Sequence, residues 1–517
     1  MESDERGGAH VLLVPLPAQG HMNPMLQLGR RLAYHGLRPT LAATRYVLSM
    51  GPPPGDPFRV AAFSDGFDDG GMASCPDPVE YCRRAEAVGS ETLAQVIAEE
   101  MRAGRTPSVM VYDPNMAWAP RVAKAAGVPT GAFMSQSCAV DLSAEAWVEC
   151  AKKSRCWAAV RCGEYDEMPV VLCDAARSRE PTRHVGARPA EWKKKCGAAR
   201  GRRQQPYLRR GVGGARAAAH GGRERGAVSV DLGPEDLSPF VVSPELYPKY
   251  LDVSIRQFEG LEDAGDVLVN SFRDLEPQEA EYMESRWRAK TVGPTLPSFF
   301  LDDGRLPSNK AYGVNFFSSD APCMAWLERQ PTISVVLASY GTVYSLDAGE
   351  LDELGNGLCD SGKPFLWVVR SSEVEKISEE LNDRCKENGL LVPWCPQLEV
   401  LAHKSIGCFL THCGWNSTTE AIVAGVPMMA MPRSADQPTT AKYMESAWGI
   451  GVRMRANEKS LVRREEVERC IRKVMGEGKD EYRKNATKWM KMAKEAMHEG
   501  GTSDKYIAEF AAKYLSR

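Results

Sequence analysis

The run His412-Cys-Gly-Trp-Asn-Ser417 carries the clearest chemical signal in the chain. It follows an apolar stretch that reads as a strand and opens a stretch that reads as a helix. Glycine lets a ligand approach the backbone closely. A helix N-terminus offers free N–H groups and the positive end of a dipole to phosphate. His412, Asn416 and Ser417 add side-chain donors. Taken alone, the same run is also a capping box of Ser417 with Glu420. Trp394 ends an apolar run, where an indole stacks a nucleobase or simply fills core. The pair Asp436-Gln437 binds hydroxyls or lies on the surface.

A second constellation sits near the start of the chain. His21 lies in the stretch Pro17-Ala-Gln-Gly-His-Met-Asn-Pro24, read as a loop after a first strand. Parallel sheets place their ligands beyond such strand ends. A histidine there suits the removal of a proton from an attacking hydroxyl, because its pKa lies near neutrality. The imidazolium so formed needs a carboxylate partner. Asp113 ends another strand-like run and can supply one, as in the His–Asp half of a hydrolase triad without a protein nucleophile. A lone loop histidine can equally be structural.

The elements that must position these residues follow from apolar patterning. His10–Leu16 is a short apolar run of the buried parallel-strand kind. Apolar residues at helical spacing predict a helix from Met25 to His35, capped by Asn23 with Pro24 in its first turn. Ser108–Tyr112 reads as strand, Ala117–Ala126 as helix and Pro129–Met134 as strand. In the second half, strands are predicted at Ile333–Ser339, Pro364–Val369, Gly389–Trp394, Ile406–Thr411 and Val426–Met431, mostly with helical stretches between them. Alternation of this kind makes two α/β halves with parallel sheets.

Composition narrows the class. The chain has 517 residues, 43% hydrophobic and 26% charged, with a net charge of −3, so it carries no bulk electrostatic case for nucleic acid or membrane. Its first ten residues lack the basic start and apolar run of a signal peptide. No apolar stretch reaches the ~18–20 residues of a membrane span. A cytoplasmic location and no membrane span are therefore expected. The 15 cysteines are scattered, and Cys408, His412 and Cys413 lack metal-ligand spacing. No metal is expected. A spaced Asp-x-Asp motif, a GxGxxG loop after the first strand and a GxSxG elbow are all missing from the sequence. These gaps argue against a metal-dependent GT-A transferase, a nicotinamide dehydrogenase and a serine hydrolase.

The 44 residues from Trp394 to Gln437 resemble, over their whole length, the signature box of plant UDP-dependent glycosyltransferases. Gly20-His21, Val111-Tyr-Asp113, Ser339-Tyr-Gly-Thr342, Gly362–Arg370 and Gly500-Gly-Thr-Ser503 extend the likeness. The resemblance implies the GT-B fold, two facing Rossmann-like domains with the active site in the cleft. It implies that Trp394 stacks on uracil, with the Cys395 backbone bonding its edge. Gln397 and Glu420 would bind ribose hydroxyls. His412, Asn416 and Ser417, with Thr342, would hold the diphosphate. Trp415, Asp436 and Gln437 would face the sugar, and the terminal Gln resembles the glucose-using pattern. His21 and Asp113 match the family's catalytic dyad. The implied reaction is a single displacement that inverts α to β, transferring a sugar from a UDP-sugar to a hydroxyl, carboxyl or thiol group of a small plant metabolite or xenobiotic. UDP-sugar is a co-substrate, no cofactor is needed, and a monomer is expected. Ser434 departs from the family pattern, which has an aromatic residue there.

The domain reading is an acceptor-binding domain over 1–299, a linker over 300–318, a UDP-sugar-binding domain over 319–497 and a C-terminal helix over 498–517 returning to the first domain. One tract breaks the grammar. Residues 151–226 hold 19 Lys or Arg against 7 Asp or Glu, with little amphipathic periodicity. Such a tract reads as a disordered insert. Because it interrupts a region that shapes the acceptor pocket in the family, a rival reading is a non-catalytic protein, either a UDP-sugar-binding relic or a misfolded gene-model product.

Overall fold

The computed structural model describes residues 8–152, 227–242, 254–307, 309–310, 312, 322–341 and 345–516. The side chains of residues 146–152 are not described. The expectation for 151–226 falls almost wholly outside the described residues, as do Thr342 and much of the 300–318 linker.

Strands and helices alternate through both halves, and among the described residues every strand pair is parallel. The first sheet contains β1 His10–Val14, β2 Arg38–Thr44, β3 Arg59–Phe63, β4 Pro107–Tyr112, β5 Thr130–Met134, β6 Asp266–Val269 and β7 Lys290–Thr291. The second contains β8 Val335–Ser339, β9 Phe365–Val368, β10 Gly389–Val392, β11 Ile406–Thr411, β12 Met428–Ala430 and β13 Gly451–Arg453. Their orders are β3-β2-β1-β4-β5-β6-β7 and β10-β9-β8-β11-β12-β13. Strands such as Val11–Val14, Val335–Ser339 and Ile406–Thr411 are buried throughout. Helices cover both faces of a sheet of this kind, so its strands read as continuous apolar runs.

Each sheet reverses its winding direction once. In the first, the chain moves outward from β1 to β2 and β3, then returns to place β4 on the other side of β1. In the second, β8 and β11 are the corresponding neighbours. Ligands of open α/β sheets bind in the crevice at such reversals, beyond the strand C-termini. Val14 pairs with Tyr112 and Thr411 with Ser339. These registers bring the segments after β1 and β4 together, and likewise those after β8 and β11.

One boundary differs from the sequence expectation in a way that matters. The first helix spans Gln19–Tyr34, with Ala18 as its N-cap and Pro24 inside it. His21 thus stands on the first turn of a helix rather than in a loop. Asn23 is not the cap.

The two halves are joined by buried contacts. Tyr443 donates to Glu279 at 2.5 Å, Trp448 Nε1 to the Leu275 carbonyl at 3.2 Å, and Arg453 pairs with Asp236 at 2.6 Å. The last helix, Thr502–Leu515, packs on the first sheet. Tyr514 donates to Asp266 at 2.5 Å and Ser503 to the Gly293 carbonyl at 2.7 Å.

Candidate active site

His21 Nδ1 lies 2.7 Å from Asp113 Oδ2. Asp113 is fully buried, and its other oxygen accepts from Asn115 N at 3.0 Å and Asn115 Nδ2 at 2.9 Å. An ionised carboxylate only accepts, so in neutral His21 the proton sits on Nδ1 and the Nε2 lone pair is the basic end. Ser135 Oγ also lies 3.0 Å from Nδ1. Burial of the ring opposes its protonation, but the Asp113 carboxylate outweighs that and holds the imidazole pKa above its ordinary value; Asp436 adds in the same sense. For Asp113, burial pushes the pKa up, yet His21 and Asn115 bring it below the usual range. A small apolar cavity adjoins the dyad through Asn115, with Leu16, Phe63, Tyr81, Met116 and Trp118 in its wall.

Across the cleft, the helix Trp415–Ala424 begins with Gly414 as its N-cap and no side-chain cap. The capping-box alternative for Ser417 and Glu420 therefore fails. Ser417 Oγ accepts from Gln397 Nε2 at 3.0 Å. Glu420 accepts from Gln397 Nε2 at 2.7 Å and from Tyr312 Oη at 2.7 Å. Burial raises the Glu420 pKa, and its two donors temper the rise. Cys413 takes a left-handed φ of 64° between strand and helix, a conformation that costs a non-glycine residue energy and recurs at functional sites.

His412 is clamped between glycines. A Cβ on Gly341 would stand 2.8 Å from its ring, and one on Gly414 2.6 Å from it. Burial lowers its pKa to about 4, and among the described residues Nδ1 is buried without a partner. The ring is thus neutral, able to donate one hydrogen bond. Trp394 is half-buried in the connection after β10, and Cys395 is buried next to it.

Asp436 Oδ2 accepts the Trp415 backbone N–H at 2.7 Å. Its recessed position raises its pKa to about 6. Gln437 Oε1 accepts from the backbone N–H groups of Arg433 and Ser434 at 2.9 and 3.2 Å. Those donors fix the amide orientation and leave its NH2 end for a ligand. Ser434 is itself buried and serves this bond.

One expected residue is arranged differently. The Trp415 side chain is 2% exposed, and its Nε1 donates to the Asn270 carbonyl at 2.7 Å. Its indole therefore presents no surface to a sugar; the polar group it turns toward Asp436 is its backbone N–H. Tyr312, on Glu420, was not found from the sequence, since a lone tyrosine in a linker has no pattern to mark it. Ser135 was missed for a similar reason. It follows β5, next to β4 in the sheet, and only the strand order brings it to His21.

Residues 313–499 match the family model "UDP-glucoronosyl and UDP-glucosyl transferase". The chain is 58% identical over 513 residues to UDP-glucosyltransferase UGT13248 of Hordeum vulgare subsp. vulgare, covering 99% of this chain and 95% of that protein. The crystal structure of Os79 from O. sativa in complex with UDP superimposes with a TM-score of 0.81 at 57% identity, covering 98% of this chain and 100% of that one. Os79 in complex with UDP and deoxynivalenol-3-glucoside gives a TM-score of 0.77 at 55% identity, with the same coverage. A parallel-sheet pair with its clefts at the winding reversals, and this likeness over nearly the whole length, make the chain a member of the plant UDP-glycosyltransferase family, a transferase of the GT-B fold.

Proposed function

We propose that this transferase moves glucose from UDP-glucose to a hydroxyl of a small apolar acceptor, with inversion at the anomeric carbon. The observation that carries the reading is the His21–Asp113 pair, held at 2.7 Å across from the first turn of the Trp415–Ala424 helix. His21 Nε2 takes the acceptor proton as the oxygen attacks, and Asp113 stabilises the imidazolium. The departing UDP gathers negative charge at the helix N-terminus, where backbone N–H groups, His412, Asn416 and Ser417 receive it. On this reading Trp394 stacks the uracil, Cys395 meets its edge through the backbone, and Gln397 and Glu420 take the ribose hydroxyls. Asp436 and the fixed Gln437 amide take hydroxyls of the sugar, and Thr342 assists the diphosphate. These donors supply the charge stabilisation without a metal.

Os79, a relative at 55% identity, has been crystallised with deoxynivalenol-3-glucoside. The parent alcohol of that glucoside is therefore the candidate acceptor for this chain. A role in secondary metabolism or xenobiotic detoxification in the cytoplasm follows from the same reading. Incubation with UDP-glucose or UDP-galactose, an alcohol panel that includes deoxynivalenol, and excess chelator tests it by mass spectrometry. Hexosylated product from UDP-glucose in chelator is expected. Preference for UDP-galactose, or activity lost in chelator and restored by magnesium, contradicts the sugar or metal reading respectively.

A further inference from the structure

Two neighbouring side chains at the start of the Trp415–Ala424 helix reach across the cleft. Trp415 Nε1 donates to the Asn270 carbonyl, at the end of β6, at 2.7 Å. Asn416 Nδ2 donates to the Gly20 carbonyl at 2.7 Å. Gly20 directly precedes His21 on the first turn of its helix.

That carbonyl is available for a particular reason. In an α-helix the carbonyl of residue 20 would accept from the N–H of residue 24. Residue 24 is proline and has no N–H, so the Gly20 carbonyl is left for a partner from outside the helix. Gly20 also fits the approach: a Cβ there would stand 3.1 Å from Asn416 Nδ2, a tight contact. The asparagine amide carries two N–H donors. One is given to Gly20, and the other remains for a diphosphate oxygen.

We infer that Trp415, Asn416 and Pro24 form a closure latch that registers the His21 helix against the donor. This inference rests on the proposed reading of the cleft. Asn416 would join the donor phosphate and the base-bearing turn through one side chain, while the Trp415 indole anchors the start of its own helix to the end of β6. Trp415 and Pro24 are positioning residues. Their effect falls on how closely base, acceptor and anomeric carbon align, and alignment of that kind acts on kcat.

The test uses the full-length enzyme with UDP-glucose and a turned-over alcohol. Trp415→Phe keeps the aromatic bulk and removes the indole N–H. Pro24→Ala restores the helix N–H that competes for the Gly20 carbonyl, and it suits a helix better than proline. Each variant should lower kcat at saturating substrates by roughly 10-fold, the rate equivalent of one well-placed hydrogen bond. UDP affinity by calorimetry should stay within about twofold, a margin well under one hydrogen bond. Wild-type kcat in both variants overturns the latch, as does a fall in UDP affinity that matches the fall in kcat. If Trp415→Phe proves unstable, Pro24→Ala alone decides. Absence of turnover in the wild-type enzyme would instead indict the proposed reaction, so the two failures are distinguishable.

Discussion

Asp113 governs when His21 can act. Its carboxylate holds the imidazole pKa above the ordinary 6.5 against the opposing effect of burial. A raised pKa means that the ring keeps its proton to higher pH, so the basic form needed for an alcohol acceptor appears only above that value. The acid limb of kcat/KM should therefore lie above pH 6.5. In Asp113→Asn the carboxylate is lost while burial remains. The limb should move to lower pH, and the rate should fall by about 10²-fold or more as orientation and charge stabilisation are lost. An unmoved limb would detach Asp113 from the base. On the donor side, Trp394→Ala should weaken UDP binding by about 1–3 kcal/mol, the usual worth of base stacking, whatever the acceptor; unchanged affinity in a titration would remove the stacking role. At this scale the sequence marked His21 and Asp113 by side-chain chemistry at strand ends, and the structure brings the two within 2.7 Å. It was not readable where packing decides. Trp415 looked like a sugar-facing group, yet its indole is consumed by the Asn270 carbonyl.

The elements were legible as a pattern and less so at their ends. Ile406–Thr411 forms as read, because a fully buried parallel strand shows as a continuous apolar run. The His21 helix begins six residues before the expected Met25. Pro24 suggests a first turn, since proline is favoured there, but here its missing N–H is absorbed by a bond from another domain. No local rule reveals a partner 396 residues away. A similar long-range cap holds the helix Cys138–Lys152. Glu276, 1% exposed, accepts from Cys138 N at 3.1 Å, Ala139 N at 2.9 Å and Ser271 Oγ at 2.5 Å. Burial raises its pKa to about 7. Glu276→Ala should lower stability by about 2–3 kcal/mol, as expected for losing a buried cap with several donors. Urea titration measures this, and a midpoint equal to wild type would show that the cap is redundant.

The whole molecule divides its labour between two sheets, each with a cleft at its winding reversal. That architecture was legible because alternation of strand and helix leaves few topologies open. The facing of the two domains was legible only through the family likeness and not through patterning, because it depends on contacts such as Tyr443 with Glu279 and Arg453 with Asp236. The proposed donor residues lie almost wholly after residue 340, in the second sheet. Replacing residues 153–226 by a short flexible linker should therefore leave UDP affinity nearly unchanged, since loop-closure entropy varies only logarithmically with length. Calorimetry checks this, and loss of UDP binding would make the tract integral to the donor domain. The central claim is that His21, supported by Asp113, activates an acceptor hydroxyl against a UDP-glucose held by the opposite domain. Its most direct test compares hexosylated product from wild type and His21→Ala, with UDP affinity measured on both proteins. The account predicts that His21→Ala loses roughly 10²–10⁴-fold in rate, the usual worth of a positioned general base, while its UDP affinity stays at the wild-type value. Equal rates in the two proteins would contradict it.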